Sequence, residues 1–319
     1  MGFSTPWSAW QEENRVLLKK FLDSFFFYSF IRDPVALGSF LILAILIITG
    51  FGAPVVAPHN PYDTTTIDIM DSELPPFWVS GSDERFLLGT DSQGRDMLST
   101  MLYGMRVSIL IGLGAVALQA LLGISIGLIA GYKGGRFEAF LMRIADVQLS
   151  FSTYMVAIFF GALFQAAFGM GLYEDFAIPM LIAIIGFAEW PQYARTVRAS
   201  VLGEKKKEYV EAARVIGLPS TRIMWREILP NTLTPVLVIS TVQVANAIMS
   251  EAALSFIGLG MPITRPSLGS LINVGFDYIF SGSWWITLFP GIVLVVLILS
   301  INLLGDWLRD FLNPKLYKG

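Results

Sequence analysis

The chain has 319 residues, 54% of them hydrophobic and only 15% charged, with a mean hydropathy of +0.62. That is more apolar surface than one water-soluble core of this size can hide, so the composition points to a polytopic membrane protein. The formal net charge of -3 says nothing about orientation, and the absence of cysteine excludes a disulfide framework, a cysteine zinc site and a thiol nucleophile.

Residues 1–34 carry Arg15, Lys19, Lys20 and Arg32 among Trp7, Trp10, Phe21 and a Phe25–Phe27 run, without the short apolar core that leads to a cleavage site. They read as a retained cytoplasmic segment, a helix lying at the membrane surface. Six stretches of the length that crosses a hydrocarbon core follow, at 35–56, 107–131, 146–168, 177–198, 233–258 and 285–305. Because open sheets leave backbone groups unsatisfied in lipid, the expected fold class is all-α with six spans. The expected organisation is an extracytoplasmic segment at 57–106, a five-helix core at 107–305 with a loop at 199–232, and a tail at 306–319.

With the N-terminus in the cytoplasm, 18 of the 22 Lys and Arg residues fall on the inner side, and Arg85, Arg95, Arg106 and Arg265 on the outer. This asymmetry places both termini and the 199–232 loop in the cytoplasm. Outside, eight acids between residues 57 and 106 meet three arginines, a charged, Pro-rich surface that suits a soluble partner as well as plain solvation. The Gly- and Pro-containing segment 259–283 has the make-up of a loop that could dip back as an external gate.

The cytoplasmic loop contains "EYVEAARVIGLP". Tyr209, Ala212, Ala213 and Ile216 recur at helical spacing, Glu204, Glu208 and Glu211 lie toward the start, and Arg214 lies near the end, as the helix dipole favours. Gly217 and Pro219 stop that helix, Ser220 is placed to cap a second one through about Ile228, and Pro230 is expected to end it. Two helices this short are not stable alone in water. They lie on the membrane or on their own bundle, or they dock on a cytoplasmic partner.

Two features within the spans invite chemistry. "GISIG", Gly123–Gly127, matches the nucleophile pattern G-x-S-x-G but lacks the strand-to-helix turn and a nearby base, the only histidine being His59 in the Pro-rich exit "APHNPYD". Gly123, Gly127 and Gly131 read instead as a smooth stripe for close helix packing. Glu189, beside Trp190 and about twelve residues into its span, either lines a translocation path or pairs with a partner, or the span ends early at "EWPQY" and leaves it interfacial.

"EAARVIG", eleven residues and then Leu229–Pro230 resembles the EAA loop of ABC importer permeases, with Glu227 standing where the family pattern has Ile and Ile228 one place later. "LGTDSQGRDMLSTMLYGMRVSILIG", "EWPQYARTVRASVL" and "EAALSFIGLG" are similar to the permeases of the peptide and nickel branch. "RDPVALGSFLIL", "APHNPYD" and "NLLGDWLRDFLNP" look most like the C-type subunit of dipeptide and oligopeptide importers. "LSFS" at 149–152 has Ser where that family has Pro, which predicts a weaker bend at the start of the third span.

The resemblance implies a type I importer permease that moves peptides by alternating access. Tyr209, Glu211, Ala212, Ala213, Arg214, Gly217, Leu218, Leu229 and Pro230 would dock against a separate ATPase. It also implies a B-type permease partner, two ATP-binding subunits, an extracytoplasmic binding protein and the bacterial inner membrane, with no nucleic acid. No phosphate-loop pattern occurs in the chain, so ATP and Mg²⁺ are expected on the partners, with neither cofactor nor metal on this chain. The alternatives are an ion-gradient-driven secondary transporter, for which neither an inverted repeat nor a cluster of intramembrane acids is visible, and the same architecture carrying nickel or glutathione.

Overall fold

The computed structural model describes residues 25–63, 65 and 67–312. The expected interfacial helix therefore lies outside the described residues except for its end, α1 (Phe25–Arg32), where Phe26 and Phe30 set ring edges against Trp307, with centroids 5.1 and 5.0 Å away. Asp33 breaks the chain and caps α2 (Pro34–Phe51), its Oδ1 accepting from the amides of Val35 and Ala36, with Pro34 at the first helical position. Among its described residues the outer segment that follows has one short turn of helix after α2 and another at Ile69–Asp71. Asp96 then caps α3 (Met97–Lys133) through the Ser99 amide at 2.8 Å. This helix starts ten residues before the expected boundary at 107, because a capping aspartate rather than the onset of hydropathy decides where it begins.

The third span is not one rod from 146 to 168. It consists of α4 (Gly135–Leu149) and α5 (Thr153–Ala167), bent by 84° at their junction. The bend is sharp although Ser152 replaces the family's proline. Ser150 turns its hydroxyl back to the Val147 carbonyl at 2.6 Å, and Ser152 takes φ -65, ψ 137, the extended backbone a proline would also adopt.

After a break at Gly169 (φ 79), α6 (Tyr173–Glu204) continues through Pro179 and Pro191, so the span does not stop at "EWPQY". Prolines are accommodated in membrane helices where neighbours re-satisfy the freed carbonyls. The connection expected from residue 199 consequently begins at Lys205. α7 (Glu208–Val215) and α8 (Ser220–Phe256) come next, followed by α9 (Leu268–Phe276) and α10 (Trp285–Phe311). Among the described residues five helices are long and apolar enough to span, or six if the α4–α5 pair counts as one.

α3, α6 and α8 form the centre. Gly123, Gly127 and Gly131 lie on the α3 face that meets α6: a Cβ on Gly123 would come 2.7 Å from the Trp190 carbonyl, on Gly127 2.5 Å from that of Ala194, and on Gly131 2.8 Å from the Val201 Cβ. With no apolar driving force between helices in lipid, such backbone proximity and the dispersion contacts it allows are what hold the pair.

Candidate coupling hairpin and intramembrane polar sites

α7 stands at the end of α6 beyond a three-residue turn and is tied back by side chains. The Tyr209 hydroxyl donates to Glu204 Oε2 at 2.8 Å, and Lys207 holds the other oxygen at 2.7 Å. Burial pushes the Tyr209 phenol up to about 12, with its bond to Glu204 acting in the same direction, so it remains a donor throughout the physiological range. Lys205 Nζ caps the end of α3 by donating to the Gly131 carbonyl at 2.7 Å, and Arg214 lies 5.7 Å over the Tyr132 ring.

The helix closes with both bonds of a Schellman turn, Leu218 N to the Ala213 carbonyl (3.1 Å) and Gly217 N to the Arg214 carbonyl (3.0 Å). Gly217 at φ 83 occupies the position where only a residue without Cβ is free of strain.

The single face expected for Tyr209, Ala212, Ala213 and Ile216 is divided. Ala213 turns inward with Val210, and Tyr209 is half-buried, whereas Ala212 and Ile216 point out. A helical wheel ranks these positions by angle, but here the protein covers only part of the arc. Glu211 and Arg214 are exposed, and Leu218 is half-buried beneath the turn. The exposed tip is apolar, with Val215 88% and Ile216 77% accessible. Val215 was not singled out from sequence; its mark was an apolar residue following Arg214 at the helix end.

Pro230 does not end the second helix. Ile223–Ile228 winds as a π-helix that leads directly into the span, and Pro230 lies in the first turn beyond it, with Leu229 half-buried. The wider π register relieves the clash that a proline makes with the carbonyl four residues back. Ile228, one place after the family's Ile position, is fully buried. The second rod of the hairpin is thus the opening turns of a 37-residue helix.

Glu189 and Trp190 are adjacent in sequence but face different surroundings. Glu189 is 7% exposed, about 22 Å of helix from the Glu204 end. Its Oε2 accepts from Gln243 of α8 at 3.2 Å and from Gln119 of α3 at 3.5 Å. Trp190 packs with Ala145 and Ala194 and lines an apolar cleft of about 610 Å³ between α6 and the α4–α5 pair, alongside Phe160 and Phe187. The interfacial reading of Glu189 is therefore set aside, and the two residues do not share a surface.

A second carboxylate was missed. Glu251 of α8 is fully buried, accepting from the hydroxyls of Ser108 (2.8 Å) and Ser255 (2.7 Å). Ser267, the cap of α9, donates to Ser255 at 3.2 Å, so one acid joins α3, α8 and the entry to α9. Gln119, Gln243 and Glu251 could all have been found as isolated polar letters inside apolar spans.

Among the described residues no cluster of His, Asp and Glu is suited to a metal. His59 packs beside Phe86 and its amide donates to Ser99.

Residues 123–318 match the family described as binding-protein-dependent transport system inner membrane component, and residues 25–76 match the N-terminal TM domain of oligopeptide transport permease C. The chain belongs to the binding-protein-dependent inner membrane component family. A member from Pseudomonas aeruginosa, the di/tripeptide transport system permease protein DppC, is 37% identical over 91% of both chains. The dipeptide permeases DppC of Haemophilus influenzae and Escherichia coli K12 are 34% and 35% identical over 92% and 91% of this chain and 95% and 92% of theirs. The fold of these inner membrane components is also that of a solved inward-facing MetNI methionine ABC transporter, with a TM-score of 0.54 at 16% identity, covering 68% of this chain and 98% of that one. The chain is thus a multi-span permease component with a type I ABC importer fold.

Proposed function

We propose that this chain is the C-type transmembrane subunit of an ATP-driven importer of di- or oligopeptides in the bacterial inner membrane. It works with a B-type permease, two ATP-binding subunits and an extracytoplasmic binding protein, and both its termini lie in the cytoplasm. The peptide cargo is supported by relatives that are named as dipeptide and di/tripeptide permeases and that align over nine-tenths of the chain.

The observation that carries the mechanism is the hairpin: an exposed apolar tip at Ala212, Val215 and Ile216, locked by the Gly217 turn and continuous with the α8 span. ATP and Mg²⁺ reside on the partner subunits, since no phosphate loop occurs in this sequence. Closure of the ATPases on ATP shifts the tip. Lys205 and Tyr209 carry the displacement to α3 and α6, and the π segment carries it to α8. The switch between inward and outward states is driven by the difference in affinity of ATP and loaded binding protein for those two states.

The test is reconstitution with the candidate partners in vesicles. Substrate-loaded binding protein is expected to stimulate ATP hydrolysis and peptide accumulation. Accumulation that follows a proton gradient, with no stimulation of hydrolysis, would replace this reading by a secondary transporter.

A further inference from the structure

At the end of the spans away from the hairpin, the outer segment, the start of α3, the start of α6 and the loop before α9 line an open cavity of about 720 Å³. Arg106 of α3 and Arg265 of the loop line it together with Glu174 and Asp175 of α6, and Tyr62 and Tyr103 form an aromatic wall, their centroids 5.2 Å apart. Arg106 is about 37 Å of helix from Gly131, where the hairpin is anchored.

The charges here are not spent on one another. Among the described residues none of Arg106, Arg265, Glu174 and Asp175 makes an ion pair, although both signs line one cavity. Arg106 has only a distant contact with the Phe51 ring at 5.9 Å. Arg95 behaves differently. It is buried, bonded to Asp91 at 2.7 Å and to the Ile263 carbonyl at 3.0 Å, so it braces the loop that presents Arg265. Tyr62, whose phenol is pushed up by burial, also lies in the field of Arg95, Arg265 and Arg106.

Unpaired charges of both signs in a cavity of small-molecule size suit a ligand that carries both signs itself. A short peptide has an ammonium and a carboxylate separated by about 3.3–3.6 Å per residue. Guanidinium groups bind the carboxylate by paired hydrogen bonds, and carboxylates accept from the ammonium. We propose that this cavity is an entry site on the permease itself, taking a free short peptide by its two ends, with the carboxylate at Arg106 and Arg265 and the ammonium at Glu174 and Asp175. The cavity would receive the peptide when the binding protein opens. The proposal rests on the peptide-importer reading above and adds a recognition step within the membrane subunit.

The experiment uses the complete importer in vesicles with L-alanyl-L-alanine and the binding protein. Wild type must first show ATP-dependent uptake; without it the importer reading fails, whatever the cavity does. The double variants Glu174→Gln/Asp175→Asn and Arg106→Gln/Arg265→Gln are then compared for uptake and for hydrolysis. Losing one set of charge-assisted bonds is expected to lower peptide delivered per ATP hydrolysed by about tenfold, with stimulation of hydrolysis by loaded binding protein intact. If a double variant does not assemble, the single changes Arg265→Gln and Glu174→Gln, at exposed positions, supply the same ratio. An unchanged ratio overturns the proposal. So does loss of hydrolysis stimulation with loaded and empty binding protein alike, which would make these charges a docking surface for that protein.

Discussion

Glu189 and Glu251 are costly residues to hold within apolar helices, and each is tolerated because its oxygens are met by donors, from two other helices for Glu189 and from Ser108 of α3 and Ser255 of its own helix for Glu251. For Glu189 the donors are side-chain amides, so removing the acceptor leaves the Gln119 and Gln243 amides with only their bonds to the Ile185 carbonyl and to Gln119 Oε1, at 3.4 Å each. Each bond lost in this way costs about 0.5–1.5 kcal/mol. Glu189→Leu is therefore expected to lower the thermal midpoint and yield of the detergent-purified complex, whereas Glu189→Gln, with an oxygen still available, keeps both near wild type. Equal midpoints for the Leu variant and wild type would mean that the Gln119–Glu189–Gln243 cluster is not structural. Glu189 was legible in the sequence, but its pairing with Gln119 and Gln243 was not, because they lie 70 and 54 residues away on helices whose rotation only packing determines.

Among the elements, the α3–α6 contact depends on three glycines spaced by four. A valine at Gly127 would have to push the Ala194 backbone aside, since even a Cβ comes within 2.5 Å of its carbonyl, and overpacking of this kind costs about 1–3 kcal/mol or more. Gly127→Val is expected to reduce assembled complex sharply, as read by gel filtration after mild detergent extraction. Gly161, which has no neighbour within 4 Å of an added Cβ, is the matched control, and Gly161→Ala is expected to assemble normally. Spacing by four made the stripe readable before its partner was known. The π turn at Ile223–Ile228 was unreadable for the opposite reason: proline is a local stop signal, and a neighbouring change of helical register cancels it.

For the molecule as a whole, the coupling mechanism requires the hairpin and the charged cavity on opposite sides of the bilayer. The chain contains no cysteine, so single cysteines can be introduced without background. Val215→Cys, at the exposed tip, is expected to react with an impermeant maleimide only from the cytoplasmic side and to be shielded when the ATPase subunits assemble. Met70→Cys, 88% exposed in the outer segment at Met70, is expected to react only from the other side. Reaction of both from one side would remove the basis for coupling.

Hydropathy and the "EYVEAARVIGLP" stretch were enough to determine a helical membrane chain with a helix, turn and helix in its most cationic connection. These are properties of composition and local spacing, to which each residue contributes without knowing its distant neighbours. Tertiary structure alone decided the 84° break in the third span, the inward and outward halves of α7, the donors on Glu189 and Glu251 and the four unpaired charges around one cavity. Each depends on how helices rotate and approach one another, and in an apolar solvent that is set by the close fit of whole surfaces rather than by which residues avoid water.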